Sequence, residues 1–286
     1  MIVSVASGKG GTGKTLIATS LALSLSDQTK VQLLDCDVEE PNTHIFLDIK
    51  MEQSSPALLL IPHIDEDKCT HCGVCAEVCA YNAIAALPKK VLVFPELCHG
   101  CGACSYLCPE SAITEEGKEI GIIKKGSSGN ISLVEGELTL GEVAAPAVIR
   151  EVKQHIDTAG EVIIDASPGT SCPVIEAVKD SDFCLLVTEP TPFGLNDLSL
   201  AVEMTRKLGI PTGVIINRAG DNDQLIEQYC QEQDIPILLR IPLDRNIAVL
   251  YSKGIPLVEG MPGWRRDFLQ LFHRLKEMLP TTEVSR

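Results

Sequence analysis

The chain has 286 residues, 45% of them apolar, enough to bury a sizeable core, and its 39 acidic against 24 basic residues leave a net charge of −15. That charge repels phosphate backbones and anionic lipid, so it sets nucleic acid aside as a partner and argues against a membrane surface. No apolar run approaches the roughly 20 residues that span a bilayer, and the chain opens on a strand-like segment where a signal peptide would carry a basic region; a cytoplasmic location is expected.

Outside residues 62–116, short β-branched runs alternate with longer helix-compatible stretches, which predicts a doubly wound, mostly parallel α/β sheet. Strands are expected at 2–6, 31–35, 162–165, 183–188, 212–217 and 237–241. Several end in a polar residue at their carboxyl end, the edge where such sheets bind ligands. The first is followed by Gly8-Lys9-Gly10-Gly11-Thr12-Gly13-Lys14-Thr15 and then by the helical run 15–25. This is the P-loop pattern in its required strand–loop–helix setting. The glycines let successive N–H groups turn inward onto phosphate oxygens, and the helix N-terminus adds its positive end. Lys14 is placed to reach the β- and γ-phosphates, and the Thr15 hydroxyl to ligate Mg²⁺.

The lysine directly after the first glycine, Lys9, makes the loop resemble the deviant Walker A family of P-loop NTPases, which includes MinD, ParA, Mrp and the nitrogenase iron protein. The resemblance covers nearly everything outside residues 62–116. It implies an ATP-sandwich homodimer, or a heterodimer with a related ATPase, in which Lys9 of one subunit touches the nucleotide of the other. Leu34-Asp35-Cys36-Asp37 closes the second strand and looks like the approach to the family's first switch; by resemblance Asp35 joins the Mg²⁺ shell and Asp37 positions water, with the alternative that one of the two caps the following turn. Val162-Ile163-Ile164-Asp165 reads as a Walker B strand, which adds Asp165 to the Mg²⁺ candidates, and Gly169 in the following Ala166-Ser167-Pro168-Gly169 offers its amide to the γ-phosphate. Asn217, in the pair Asn217-Arg218, is the expected adenine reader, since its amide matches the base's donor and acceptor; an ordinary turn asparagine is the alternative. Thr188-Glu189-Pro190-Thr191-Pro192-Phe193-Gly194 and Ile241-Pro242-Leu243-Asp244 have the family's look without an assigned chemistry.

Eight of the twelve cysteines fall between Cys69 and Cys108. Cys69, Cys72, Cys75 and Cys79 recur 29 residues on as Cys98, Cys101, Cys104 and Cys108, a duplicated unit. The two runs form the paired bacterial-ferredoxin signature, in which the fourth cysteine of each run serves the other cluster. One [4Fe-4S] cluster is therefore assigned Cys69, Cys72, Cys75 and Cys108, and the other Cys98, Cys101, Cys104 and Cys79. Zinc is the competing occupant of paired C-x2-C units, and Ala80 stands where the first run's proline belongs. Cys36, Cys184 and Cys230 read as structural. Cys172 follows the second switch, where nitrogenase-type relatives bring cysteines to a subunit-bridging cluster, and is a further candidate.

A glycine-rich hairpin with strands at 120–124 and 130–134 is expected to return the chain to the ATPase. The apolar positions Trp264, Phe268, Leu271, Phe272, Leu275 and Met278 predict an amphipathic terminal helix, packed on the sheet or, as in MinD relatives, on a membrane. The expected organisation is a P-loop ATPase domain, 1–61 and 117–286, with an inserted small α+β ferredoxin-like domain at 62–116. Its cofactors are ATP, Mg²⁺ and two [4Fe-4S] clusters. The leading expectation is an Mg-dependent ATPase that gates electron transfer to a protein redox partner. The alternatives are a maturation factor that loads an iron–sulfur or metal cofactor onto an apo-target, and a redox-sensing regulatory ATPase.

Overall fold

A computed structural model describes residues 1–279 of the 286. Its strands are β1 (Ile2–Ala6), β2 (Val31–Cys36), β3 (Met51–Ile64), β4 (Ile84–Leu87), β5 (Lys90–Val93), β6 (Ile113–Ser128), β7 (Ile131–Leu138), β8 (Glu161–Ala166), β9 (Phe183–Thr188), β10 (Thr212–Ala219) and β11 (Ile237–Pro242). Nine of them form one sheet in the order β11-β10-β9-β1-β8-β2-β7-β6-β3, while β4 and β5 form a separate ribbon. From β11 to β7 the neighbours are parallel, whereas β6 runs antiparallel to both β7 and β3.

The central strands are apolar on both faces because each face is covered by helices. Adjacent residues such as Leu33 and Leu34, or Ile163 and Ile164, enter opposite cores and are all fully buried. One core is closed by α5 (Ala145–Lys153), α6 (Cys172–Val178), α7 (Pro192–Leu208) and α8 (Gln224–Glu232), through residues such as Val148, Val174, Leu198 and Ile226. The other is closed by α1 (Lys14–Leu25), α10 (Leu257–Gly260) and α11 (Trp264–Met278), with α9 (Arg245–Ser252) set against its rim through Ile247. The amphipathic face anticipated near the C-terminus packs here: Phe268, Leu271, Phe272 and Leu275 are buried in that core. Among the described residues no helix is long and apolar enough to cross a membrane.

All six strands expected from the sequence form, but the returning hairpin is longer than anticipated. It is the pair β6–β7, turning at Gly129 and Asn130. A strand the sequence did not announce, β3, pairs with β6 from Met51 against Gly126 to Ile64 against Ile113. These two strands run unbroken through positions 61/62 and 116/117 and leave the sheet as a two-stranded arm. At its far end sit α3 (Val74–Glu77), α4 (Ala103–Tyr106) and the β4–β5 ribbon, around a core of four buried residues, Cys75, Ile84, Val91 and Ile113. The short helix α2 (Thr43–Leu47) closes the loop after β2, where β3 begins.

Candidate functional site: a phosphate cleft and a cysteine arm

The carboxyl ends of β1, β2, β10 and β11 surround an open cleft, with Gly10, Gly11, Gly13, Lys14 and Thr15 on one wall and Asp37, Asn42, Asn217, Arg218, Leu243 and Tyr251 among the others. Gly13 has φ 96°, a left-handed value, and a Cβ there would strike the Asn217 amide. Only glycine meets both demands. The Asn217 amide nitrogen donates to the Thr12 carbonyl at 2.7 Å, and its oxygen accepts from the Arg218 N–H at 2.9 Å. The expected base reader thus lies on the cleft wall, fastened to the loop it serves. Gly8 is pressed against the Asp197 backbone, which fixes the start of the loop on α7.

Three carboxylates, Asp35, Asp37 and Asp165, lie at or behind this wall. Asp35 is fully buried and spends its oxygens on the loop that follows it: Oδ1 accepts from the Asp37 N–H, and Oδ2 from the Asn42 and Thr43 N–H groups, each at 3.0 Å. Of the two acids assigned from the sequence, Asp35 thus holds the turn and Asp37 lines the cleft. Asp165 is 1% exposed, and both its oxygens are buried without a hydrogen-bond partner. Burial raises all three acids: Asp35 to about 6, Asp37 to about 7 against the pull of Lys14, and Asp165 well above the usual carboxylate range, pushed further by Asp35 and opposed by Thr15 and Lys14. Burial of this kind is relieved by a proton or by a cation. Asp165, with two free oxygens near Thr15, fits a hard divalent ion such as Mg²⁺. Gly169 has φ 102°, and its N–H donates to the Ser7 carbonyl at 2.9 Å, so the amide assigned to the γ-phosphate is engaged with the P-loop itself.

Lys9 is not free in the single chain. Its Nζ stands 3.4 Å from Glu189 Oε2, while Glu189 Oε1 pairs with Arg218 at 2.6 Å and the Arg218 guanidinium also donates to the Gly11 carbonyl at 3.4 Å. Glu189, 7% exposed, therefore ties the loop lysine to the arginine beside the base reader. The sequence shows this glutamate only as part of a stretch without assigned chemistry. Nothing local announces a contact spanning 180 residues.

On the arm, the eight cysteines divide between two cavities. One is lined by Cys69, Cys72, Cys75 and Cys108, with Val91 and Ile113; the other by Cys79, Cys98, Cys101 and Cys104, with Ile84. The duplication is visible in the backbone: His71 and Gly100 have φ 58° and 63°, Gly73 and Gly102 86° and 71°, Asn82 and Ser111 54° and 49°. Cys79 and Cys108 each accept an N–H from four residues on, Ala83 at 3.2 Å and Ala112 at 3.3 Å, and Cys98 accepts from Gly100 at 3.4 Å. Burial pushes the thiols of Cys75, Cys98 and Cys104 up. Among the described residues no group of three or more His, Cys, Asp or Glu side chains is set to hold a metal ion. The thiols face two apolar-floored spaces, and four thiols around each, backed by N–H donors, are a donor set that fits an iron–sulfur cluster. Over the second cavity the rings of Tyr81 and His99 stack at 3.7 Å. Cys36, Cys184 and Cys230 are buried in the main body, and Cys172 is exposed at the start of α6, away from both cavities.

A family model described as the CobQ/CobB/MinD/ParA nucleotide binding domain matches residues 3–257. Two uncharacterized proteins of Methanocaldococcus jannaschii resemble the chain over most of both lengths: MJ0578 is 34% identical across 98% of each, and MJ0579 is 33% identical across 89% of this chain and 90% of its own. A protein of Anopheles gambiae named as a cytosolic Fe-S cluster assembly factor, Nubp2 homolog, is 25% identical over 91% of this chain and 90% of its own. Among solved structures, the septum site-determining protein MinD of Pyrococcus horikoshii, complexed with Mg-ADP, superposes with a TM-score of 0.59 at 21% identity, covering 96% of both chains, which establishes a shared fold. A loop of this sequence, on this sheet, at this edge is the common inheritance of one group of proteins, and the chain belongs to it: the CobQ/CobB/MinD/ParA nucleotide-binding family.

Proposed function

We propose that the chain hydrolyses ATP with Mg²⁺ and carries two [4Fe-4S] clusters, nucleotide state gating electron transfer through them. The observation that carries this reading is the sorting of eight cysteines into two cavities at the end of an arm rooted beside the nucleotide cleft. On this reading residues 62–116 are an inserted ferredoxin-like domain and 1–61 with 117–286 the ATPase. Cys69, Cys72, Cys75 and Cys108 would hold one cluster and Cys98, Cys101, Cys104 and Cys79 the other; when bound, the clusters supply one-electron redox chemistry. The N–H groups of Ala83, Ala112 and Gly100 steady the sulfurs of Cys79, Cys108 and Cys98.

In the cleft, Gly8, Gly10, Gly11, Thr12 and Gly13 shape the loop whose N–H groups face the phosphates, and Lys14 neutralises the transferring group. The Thr15 hydroxyl and Asp165 would hold Mg²⁺, which would neutralise phosphate charge, with Asp35 beside them keeping the loop in register. Asp37 orients the attacking water, and Asn217 reads the base. The ATP-bound form is a pair of chains, two copies or one copy with a related ATPase, in which Lys9 crosses to the other subunit's nucleotide. That requires the Lys9–Glu189 contact to break. A protein redox partner takes the electron.

Anaerobically purified protein assayed for iron and acid-labile sulfide, then titrated with Mg-ATP in a calorimeter, tests this directly. About eight irons and eight sulfides per chain, with nucleotide binding, are expected; a colourless, iron-free protein or a flat titration overturns it. The resemblance to proteins named as Fe-S assembly factors favours a second reading, in which ATP drives transfer of a cluster to an apo-target. The two separate on lability: a redox conduit keeps its iron and sulfide through repeated oxidation and reduction, and a carrier gives them up to an apoprotein.

A further inference from the structure

The arm leaves the sheet at the same carboxyl edge that holds the cleft: Asp35 is opposite Glu135, Glu135 opposite Lys124 and Lys124 opposite Ser54, so β3 runs on from Ser54 to Ile64 past that level, about 33 Å at the rise of a strand. The loop after β2 touches the arm at its root. There the loop after β2 grips the hairpin at two points. The Leu138 N–H donates to the Val38 carbonyl at 2.8 Å, and His44 Nδ1, on α2, meets Glu135 Oε2 of β7 at 2.6 Å. Glu135 is 1% exposed and sits opposite Asp35 in the β2–β7 register, so two buried carboxylates face each other across adjacent strands. On its other side Glu135 is opposite Lys124 of β6, whose Nζ is 4.0 Å from Glu135 Oε1 while it pairs with the exposed Glu137.

We propose that the His44–Glu135 pair is the joint through which occupancy of the cleft reaches the cysteine arm, with Lys124 as the alternative partner of Glu135. The proposal rests on reading the cleft as a nucleotide site and the arm as the cluster carrier. Asn42 lines the cleft and is joined through Thr43 directly to His44, so a loop that shifts around nucleotide draws His44 with it. Left alone, Glu135 would be a buried charge without a partner, which is costly. Lys124 removes that cost by turning from Glu137 to Glu135. Because Lys124 belongs to β6, the exchange changes how β6 lies on β7, and β6 continues without interruption to Ile113, five residues past Cys108. At its far end Glu115 of β6 also meets the Ser105 hydroxyl at 3.0 Å, beside Cys104. The device has two arrangements of one carboxylate, biased by the nucleotide loop on one side and felt by the arm on the other.

The test is hydrogen–deuterium exchange of the iron-loaded, full-length protein, followed in peptides from 62–128, with no nucleotide, with Mg-ADP and with a non-hydrolysable ATP analogue. The wild type is expected to change exchange in these peptides by about fivefold or more between nucleotide states. His44→Leu and Glu135→Gln should each abolish that difference while nucleotide affinity and melting temperature stay near the wild-type values, and the double variant should lose no more than either alone. Glu135→Gln keeps the side chain's volume, so it reports even where His44→Leu folds poorly. Folded variants that retain the full difference, or a wild type that binds nucleotide without any response in 62–128, overturn the proposal. A wild type without iron or without nucleotide binding fails at the earlier functional reading instead, and the joint falls with it.

Discussion

On the function proposed above, the cleft and the arm solve the same problem, holding a charged ligand, by opposite means. The cleft draws its residues from the ends of distant strands, Lys14 after β1, Asp37 after β2, Asp165 at β8 and Asn217 at β10, and the two cores beneath it hold dozens of buried side chains. The arm draws its ligands from two local runs of sequence and rests on four buried residues, two of them flanking the cysteines. A site assembled by the global fold exists before its ligand does. A site with so small a core depends on what it binds, since below a certain size apolar burial does not offset chain entropy.

Stripping the metal is the sharpest way to break this contrast. Chelation of iron under reducing conditions is expected to abolish exchange protection across 62–116 while β1, β8 and α1 keep theirs; equal loss in both regions, or loss in neither, would show that the arm is not ligand-dependent. Next in size, Lys14→Ala should lower ATP hydrolysis about 10²-fold or more yet leave the visible absorption of the arm untouched, measured on one anaerobic preparation. A smaller effect is expected from Glu189→Gln, which frees Lys9 and Arg218: nucleotide-dependent pairing of chains in analytical ultracentrifugation should strengthen about fivefold, whereas Lys9→Ala should bind nucleotide and not hydrolyse it.

The smallest effect concerns the body alone. Glu161 joins the terminal amine of Met1 at 3.0 Å and Lys276 of α11 at 2.7 Å. Burial pushes its pKa up, but Lys276 and the amine outweigh burial and hold it below the ordinary value. A depressed carboxylate contributes stability above the unfolded pKa and loses it as pH falls through the folded one. Glu161→Gln should therefore cost about 1 kcal/mol at neutral pH and progressively less as the pH falls below the ordinary carboxylate range, read as melting temperature against pH, and the arm should not respond at any pH.

Legibility in the sequence followed the same divide. The P-loop, the six strands and the grouping of the cysteines were readable because each rests on local spacing: glycines before Lys14-Thr15, apolar runs ending in Asp or Asn, cysteines at two- and three-residue intervals. β3 was not, since its first half, Met51 to Ser55, is polar and two prolines interrupt it; its pairing with β6, not its propensity, makes it a strand. Glu189, His44 and Glu135 were likewise silent. Their importance lies in contacts 180 and 91 residues away, which no window along the chain contains. Asp35 and Asp37 could not be told apart for a related reason: two acids one residue apart face opposite ways only after the loop folds back and its N–H groups claim one of them.

Pro56 and Pro62 have a further meaning. β3 is the outermost strand, 14 residues long, apolar in its second half, and among the described residues no further strand pairs with its free side. Such a rim invites strands from other molecules to join it. A residue that has no amide hydrogen breaks the row of donors an intruder would need, and here the row is broken twice within seven positions. The arm can thus be long, exposed and partly greasy in a crowded cell without zipping to its neighbours, which leaves association to surfaces other than this rim.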